Sequence, residues 1–146
     1  MTLTIALASD HGGFRLKKYL HEHFKSVPVE WVDLGTDSDA SVDYPDYARK
    51  LADVIAAKKA DFGVAVCGTG NGIAMALNRY PHIRAALCHD STTARLARDH
   101  NDANVLVLGG RIVGDEVALD CLYTFLTQSF SNGERHVRRI EKLKNC

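Results

Sequence analysis

Five short apolar or β-branched runs alternate with longer stretches of helical spacing along the 146-residue chain. That alternation predicts an α/β fold on a parallel sheet, because parallel neighbours need a crossover between them and a helix supplies it. Leu3 to Ala8 reads as the first strand, followed by a turn over Ser9 to Gly13 and a helix from Phe14 to about Phe24. Val29 to Leu34 reads as the second strand. Pro45 can open the next helix, since its fixed φ suits a first turn, and Ala48, Leu51, Ala52 and Ile55 mark its apolar face to about Lys58. Strands over Phe62 to Val66, Ala85 to Cys88 and Val105 to Leu108 follow, with helices over Ile73 to Leu77, Ser91 to Arg98 and Val117 to Leu126. After Gly133, a last helix over Glu134 to Lys144 places Val137, Ile140 and Leu143 on one stripe that should be buried.

Composition narrows the class of protein. With 46% hydrophobic and 25% charged residues, the chain has the make-up of one globular domain over 1–146, and three prolines leave no candidate linker. Eighteen basic residues balance eighteen acidic ones, which excludes a nucleic-acid binder that relies on a broadly basic surface. The balance conceals a division: residues 129–146 hold five basic and two acidic residues, so the remainder is correspondingly acidic. No apolar run approaches the roughly 20 residues of a membrane span, and the N-terminus lacks the basic start of a signal peptide. Cysteines at 67, 88, 121 and 146 have no CxxC spacing, so a reduced, cytoplasmic protein without a metal site is expected.

Ligands of open parallel sheets gather at the carboxyl ends of the strands, and the reactive residue types fall there. Asp10 and His11 follow the first strand, Cys67 to Gly72 the third, His89 and Asp90 the fourth, and Gly109 to Arg111 the fifth. His100 and Asn101 lie just beyond the fourth predicted helix. Asp10 fits either a helix N-cap or a site carboxylate. The stretch CGTGNG carries most information: alternate glycines let backbone amides approach a ligand at a helix N-terminus, which favours negative charge. It is neither a dinucleotide fingerprint, which needs glycine at position 73, nor a P-loop, which needs Gly-Lys-Ser/Thr. The arginine of a Cys-x5-Arg phosphatase loop is absent as well, because Ile73 stands at that place.

Cys67 at a helix N-terminus suits a base or nucleophile, since such a place favours the thiolate; packing is its plainer reading. Cys88 and Cys121 read as packing residues, and Cys146 as part of a frayed end. Arg135 and Arg139, four apart, share a helix face, either as a solvated basic surface or as a fork for phosphate.

Taken in order, SDHGG, DYP at Asp43 to Pro45, CGTGNG, HND at His100 to Asp102, GGR at Gly109 to Arg111 and GERHVRR at Gly133 to Arg139 resemble one family over the whole chain. It is the family of ribose-5-phosphate isomerase B and the isomerases of allose and galactose 6-phosphate. The resemblance implies a three-layer Rossmann-like fold with a five-stranded parallel sheet in the order 2-1-3-5-4 and an extra C-terminal helix. It also implies a homodimer, often paired into a tetramer, and a metal-free aldose-ketose isomerisation that uses no cofactor.

In that family the thiolate at the place of Cys67 moves a proton between C2 and C1, and the residue at His100 opens the furanose ring. Asp10 and Thr69 are implied to touch the reacting hydroxyls, with Tyr44 and Asn101 placing the sugar. Gly68, Gly70, Asn71 and Gly72 are implied to line the substrate, with the last three amides serving as an oxyanion hole for the enediolate. His11, Arg135 and Arg139 are implied to hold the phosphate, with Arg111 as a further basic contact. His100 and the C-terminal arginines are expected to come from the neighbouring subunit. A second branch of the family carries a glutamate base where this chain has Ile73, which leaves Cys67 as the base. A noncatalytic sugar-phosphate or nucleotide sensor is the alternative of another class, because fold alone does not set function.

Overall fold

A computed structural model describes residues 1–146. The chain runs β1 (Leu3–Ser9), α1 (Phe14–His23), β2 (Val29–Asp33), α2 (Tyr44–Ala56), β3 (Phe62–Cys67), α3 (Asn71–Leu77), β4 (Ala85–Leu87), α4 (Ser91–Asn101), β5 (Val105–Gly109), α5 (Asp115–Thr127) and α6 (Glu134–Leu143). All strand pairs are parallel, in the order β2-β1-β3-β5-β4. This is the architecture and strand order that the family resemblance implies.

Period-two alternation sorts the sheet's side chains into two cores. Ile5, Leu7, Val64, Val66, Leu106 and Leu108 pack with α1, α4 and α5 on one face. Ala6, Ala8, Ala65, Cys67, Val105 and Val107 pack with α2 and α3 on the other. The alanines on this second face leave little side-chain bulk between the sheet and its helices. Burial also explains the two cysteines read as packing residues. Cys88 and Cys121 lie in the first core, and desolvation pushes their thiols up to about 11 and about 12.

Several boundaries differ from those expected, each for a local reason. α4 continues three residues past Arg98, so His100 and Asn101 lie on its last turn and not beyond it. It stops at Asp102, which adopts the left-handed conformation (φ 44°, ψ 46°) without a glycine to announce it. α3 starts at Asn71, which puts Gly72 inside the helix, and α5 starts at Asp115, where two acidic residues suit the N-terminal dipole. α2 starts at Tyr44, with Pro45 inside its first turn, and ends at Ala56, because Lys58 has positive φ.

The stripe on α6 is also rotated from the one expected. His136 and Ile140 are its buried residues, whereas Val137 and Leu143 are 41% and 51% exposed. This helix lies on the periphery and meets the rest of the chain along a narrow face, so only the i, i+4 pair is covered.

Candidate active site

Three loops at the carboxyl edge of the sheet converge, and backbone contacts lock them together. A Cβ added at Gly12 would sit 3.0 Å from the Gly68 nitrogen, so a side chain there would push the loop after β1 a few tenths of an ångström away from the loop after β3. The loop after β5 is tied in by Gly110 N–H donating to the Cys67 carbonyl (2.8 Å) and Arg111 N–H donating to the Gly68 carbonyl (2.9 Å). Arg111's guanidinium lies over Gly68, where an added Cβ would meet its Nη1 at 3.2 Å. From the other side, Tyr44 covers Gly72; a Cβ there would come within 2.6 Å of the ring.

Cys67, only 4% exposed, ends β3 at the centre of this edge. The Gly70 N–H donates to its Sγ at 3.2 Å, in a turn that Gly70 makes with φ of +86°. Asn71 N–H donates to Thr69 Oγ1 at 3.2 Å. Two of the three amides expected to form an oxyanion hole are therefore engaged inside the loop. Only the Gly72 N–H keeps no partner in the chain, as befits the first turn of a helix.

Asp10 is buried beside this loop, and one of its oxygens accepts Gly13 N–H at 3.1 Å. Gly13, not Asp10, stands at the N-cap position of α1, and the second carboxylate oxygen of Asp10 accepts no hydrogen bond from the chain. His11 has its orientation set by the backbone: Val42 N–H donates to its Nδ1 at 3.2 Å. Accepting there places the ring proton on Nε2, so His11 offers a directed N–H donor. Ile73 is fully buried in the second core and carries no acid-base group to the site.

Asp90, by contrast, has a structural use. It closes a capping box with Thr93 at the start of α4, and the Thr93 N–H holds its carboxyl below the usual range. His89 is exposed, with its backbone N–H on Thr93 Oγ1.

The remaining residues of the expected site lie elsewhere in this chain. α4 leaves the carboxyl edge at Ser91 and returns toward the amino edge, where Asn101 hands over to the start of β5. Its eleven residues span about 16 Å. His100 and Asn101 are thus at the opposite end of the sheet from Cys67. α6 lies there too: the His136 ring stacks on His100 with centroids 4.4 Å apart and planes 12° apart. Arg135 and Arg139, both exposed, flank His136 on this helix.

The His136 imidazole is held below its ordinary value, first by desolvation and then by Arg135, His100 and Arg139, against a small opposing effect of Asp99. His100 approaches Asp99 Oδ2 at 3.7 Å. No motif assigns His136 a role, and the signal that could have found it is its place four residues before Ile140, on the same helix face. One chain accordingly holds the expected site residues in two groups: Asp10, His11, Tyr44, Cys67 to Gly72 and Arg111 at the carboxyl edge, and His100, Asn101, Arg135 and Arg139, beside His136, at the other end.

Known proteins share this chain's sequence and fold over almost its whole length. The family model described as Ribose/Galactose Isomerase matches residues 5–143. Ribose-5-phosphate isomerase B of Escherichia coli K12 is 41% identical, covering 95% of this chain and 93% of its own. A crystal structure of a ribose 5-phosphate isomerase from Thermotoga maritima superposes with a TM-score of 0.93 at 50% identity, covering 99% of both chains. Ribose-5-phosphate isomerase B of Clostridium thermocellum gives 0.94 at 44%, covering 98% of this chain and 96% of that one. With a match over nearly its full length to the family model and to these relatives, the chain belongs to the ribose/galactose isomerase family.

Proposed function

We propose that the protein interconverts ribose 5-phosphate and ribulose 5-phosphate, with Cys67 as the base that carries the proton between C2 and C1. The observation that carries this reading is the setting of Cys67: a nearly buried sulfur at a strand end, facing an N–H donor 3.2 Å away. In the forward direction the thiolate takes the C2 proton of the open-chain aldose, electrons shift onto O1, and an enediolate forms. The hydroxyl proton passes from O2 to O1, and the thiol then returns its proton to C1. Atoms balance with no redox partner. Asp10, with one oxygen free, suits the hydroxyl transfer together with Thr69. The free Gly72 N–H suits an enediolate oxygen, and charge developing there gains from fixed donors.

His11 fits the phosphate as a neutral Nε2–H donor, and Arg111 fits a nearby anionic oxygen. His100, Asn101, Arg135 and Arg139 serve the same reaction from a second copy of the chain, because one chain holds them at the other end of its sheet. A homodimer with two shared sites follows, and two such dimers can form a tetramer. The partner is a small sugar phosphate; nucleic acid and membrane have no place in the reaction. The same reading puts the protein in the reducing cytoplasm, which suits its four free thiols.

The test is turnover in deuterium oxide. Label should enter ribose 5-phosphate at C2 with the wild type and not with Cys67→Ala, whose kcat should fall by about 10²–10⁴-fold, the usual contribution of a positioned base. Binding without exchange would point to a noncatalytic sensor. Because the family model covers galactose as well as ribose isomerases, allose and galactose 6-phosphate are assayed beside ribose 5-phosphate. A higher kcat/KM for a hexose phosphate would reassign the substrate.

A further inference from the structure

The last turn of α4 carries His100 and Asn101, and three charged residues outside the expected site hold it. Asp102 stands between two arginines: Arg98 Nη1 donates to its Oδ1 at 2.8 Å, and Arg84 Nη2 donates to its Oδ2 at 3.2 Å. Arg98 also donates to the Ala103 carbonyl (2.7 Å) and the Gln128 carbonyl (3.3 Å). Arg84 covers the end of the helix, with Nε on the carbonyls of Asn101 (3.0 Å) and Asp102 (3.1 Å) and Nη2 on the latter (2.8 Å). Helix ends leave such carbonyls without partners, and positive charge is favourable beside them.

Two features make this more than a surface ion pair. Arg98 is 8% exposed, with its guanidinium 4.9 Å from the Phe62 ring centroid and 5.7 Å from that of Phe125. A guanidinium held in such surroundings loses much by giving up its carboxylate. In addition, Asp102 occupies the left-handed region, unfavourable for a residue with a Cβ, so its contacts hold a backbone turn that would otherwise relax. A chain of contacts thus runs from two core aromatics through Arg98 and Asp102 to Arg84, next to the start of β4.

We infer that Asp102 is a positioning residue, which with Arg84 and Arg98 fixes the end of α4 so that His100 meets the sugar in a second subunit. This role rests on the reading that His100 opens the furanose ring. Such positioning matters because a 1 Å misplacement of a catalytic group can cost on the order of 10²-fold in rate. The contacts orient the turn; Asp102 itself touches no substrate.

The test compares ribose 5-phosphate, which is mostly ring-closed, with 4-deoxyribose 5-phosphate, an aldose lacking the ring-closing hydroxyl. Asp102→Gly keeps the left-handed backbone at ease and removes the carboxylate; Asp102→Asn keeps the shape and removes the charge. Both should lose about tenfold in kcat/KM on ribose 5-phosphate and less than about twofold on the deoxy substrate, relative to wild type. Arg84→Lys, which cannot span both carbonyls, should show the same selectivity in a protein that retains its core. His100→Ala is measured alongside. If it is selective while the Asp102 and Arg84 variants lose equally on both substrates, or lose nothing, the positioning role is overturned and ring opening by His100 stands. If His100→Ala is itself unselective, ring opening and positioning fall together.

Discussion

At the scale of single residues, the four cysteines show how place decides chemistry. Cys67 faces an N–H donor at a strand end, whereas Cys88 and Cys121 face core side chains that raise their thiols to about 11 and about 12 from an ordinary 9.0. Burial favours their neutral form. The stability this contributes is therefore complete below the unfolded value near 9 and is lost as pH rises toward 11 and 12. Melting temperature should fall above about pH 9, and iodoacetamide near pH 8 should label exposed Cys146 while sparing Cys88 and Cys121 until the protein unfolds. Mass spectrometry of the native protein checks this; prompt labelling of either core thiol would contradict it. Gly70 gives a second residue-scale expectation. Its φ of +86° and the Leu87 methyl 2.5 Å from an added Cβ both oppose Gly70→Ala, which should destabilise by more than about 1 kcal/mol in denaturant titration.

At the scale of elements, the alternation of apolar runs makes the strands and helices legible in the sequence. The convergence of loops around Cys67 is legible too, because glycines and reactive residue types cluster after β1, β3 and β5. The reach of α4 is not. Its stop depends on left-handed Asp102, clasped by Arg84 eighteen residues earlier and by Arg98 four residues earlier. Periodicity cannot register capping of that kind, because Arg84 reaches the helix end from the start of β4. The buried face of α6 departs from its apolar stripe for a related reason. Hydropathy selects Val137 and Leu143, but packing covers His136 and Ile140. Ile140→Ala should therefore cost about 2–5 kcal/mol, and Val137→Ala less than about half as much. Thermal melts of the two variants check the order; equal losses would place the docking contact elsewhere.

At the scale of the whole molecule, the parallel sheet separates two groups of residues that the proposed mechanism needs together. The βαβ crossover that follows β4 carries His100 back to the amino edge, away from Cys67 at the carboxyl edge, so the separation follows from the topology and not from a flexible loop. The two-fold dimer proposed above would resolve it, because one contact between copies would bring the second group of each to the first group of the other. In the proposed dimer the charge division has a use: the basic C-terminal segment that contains α6 would meet phosphate at a site built largely by the other copy.

Subunit complementation tests this directly. Cys67→Ala and His100→Ala proteins are each purified, mixed, unfolded and refolded together. Random pairing should make about half of the dimers mixed, each with one intact site and one doubly defective site, restoring about a quarter of wild-type activity. Activity in the mixture no higher than the mean of the two parents would contradict a site shared between subunits.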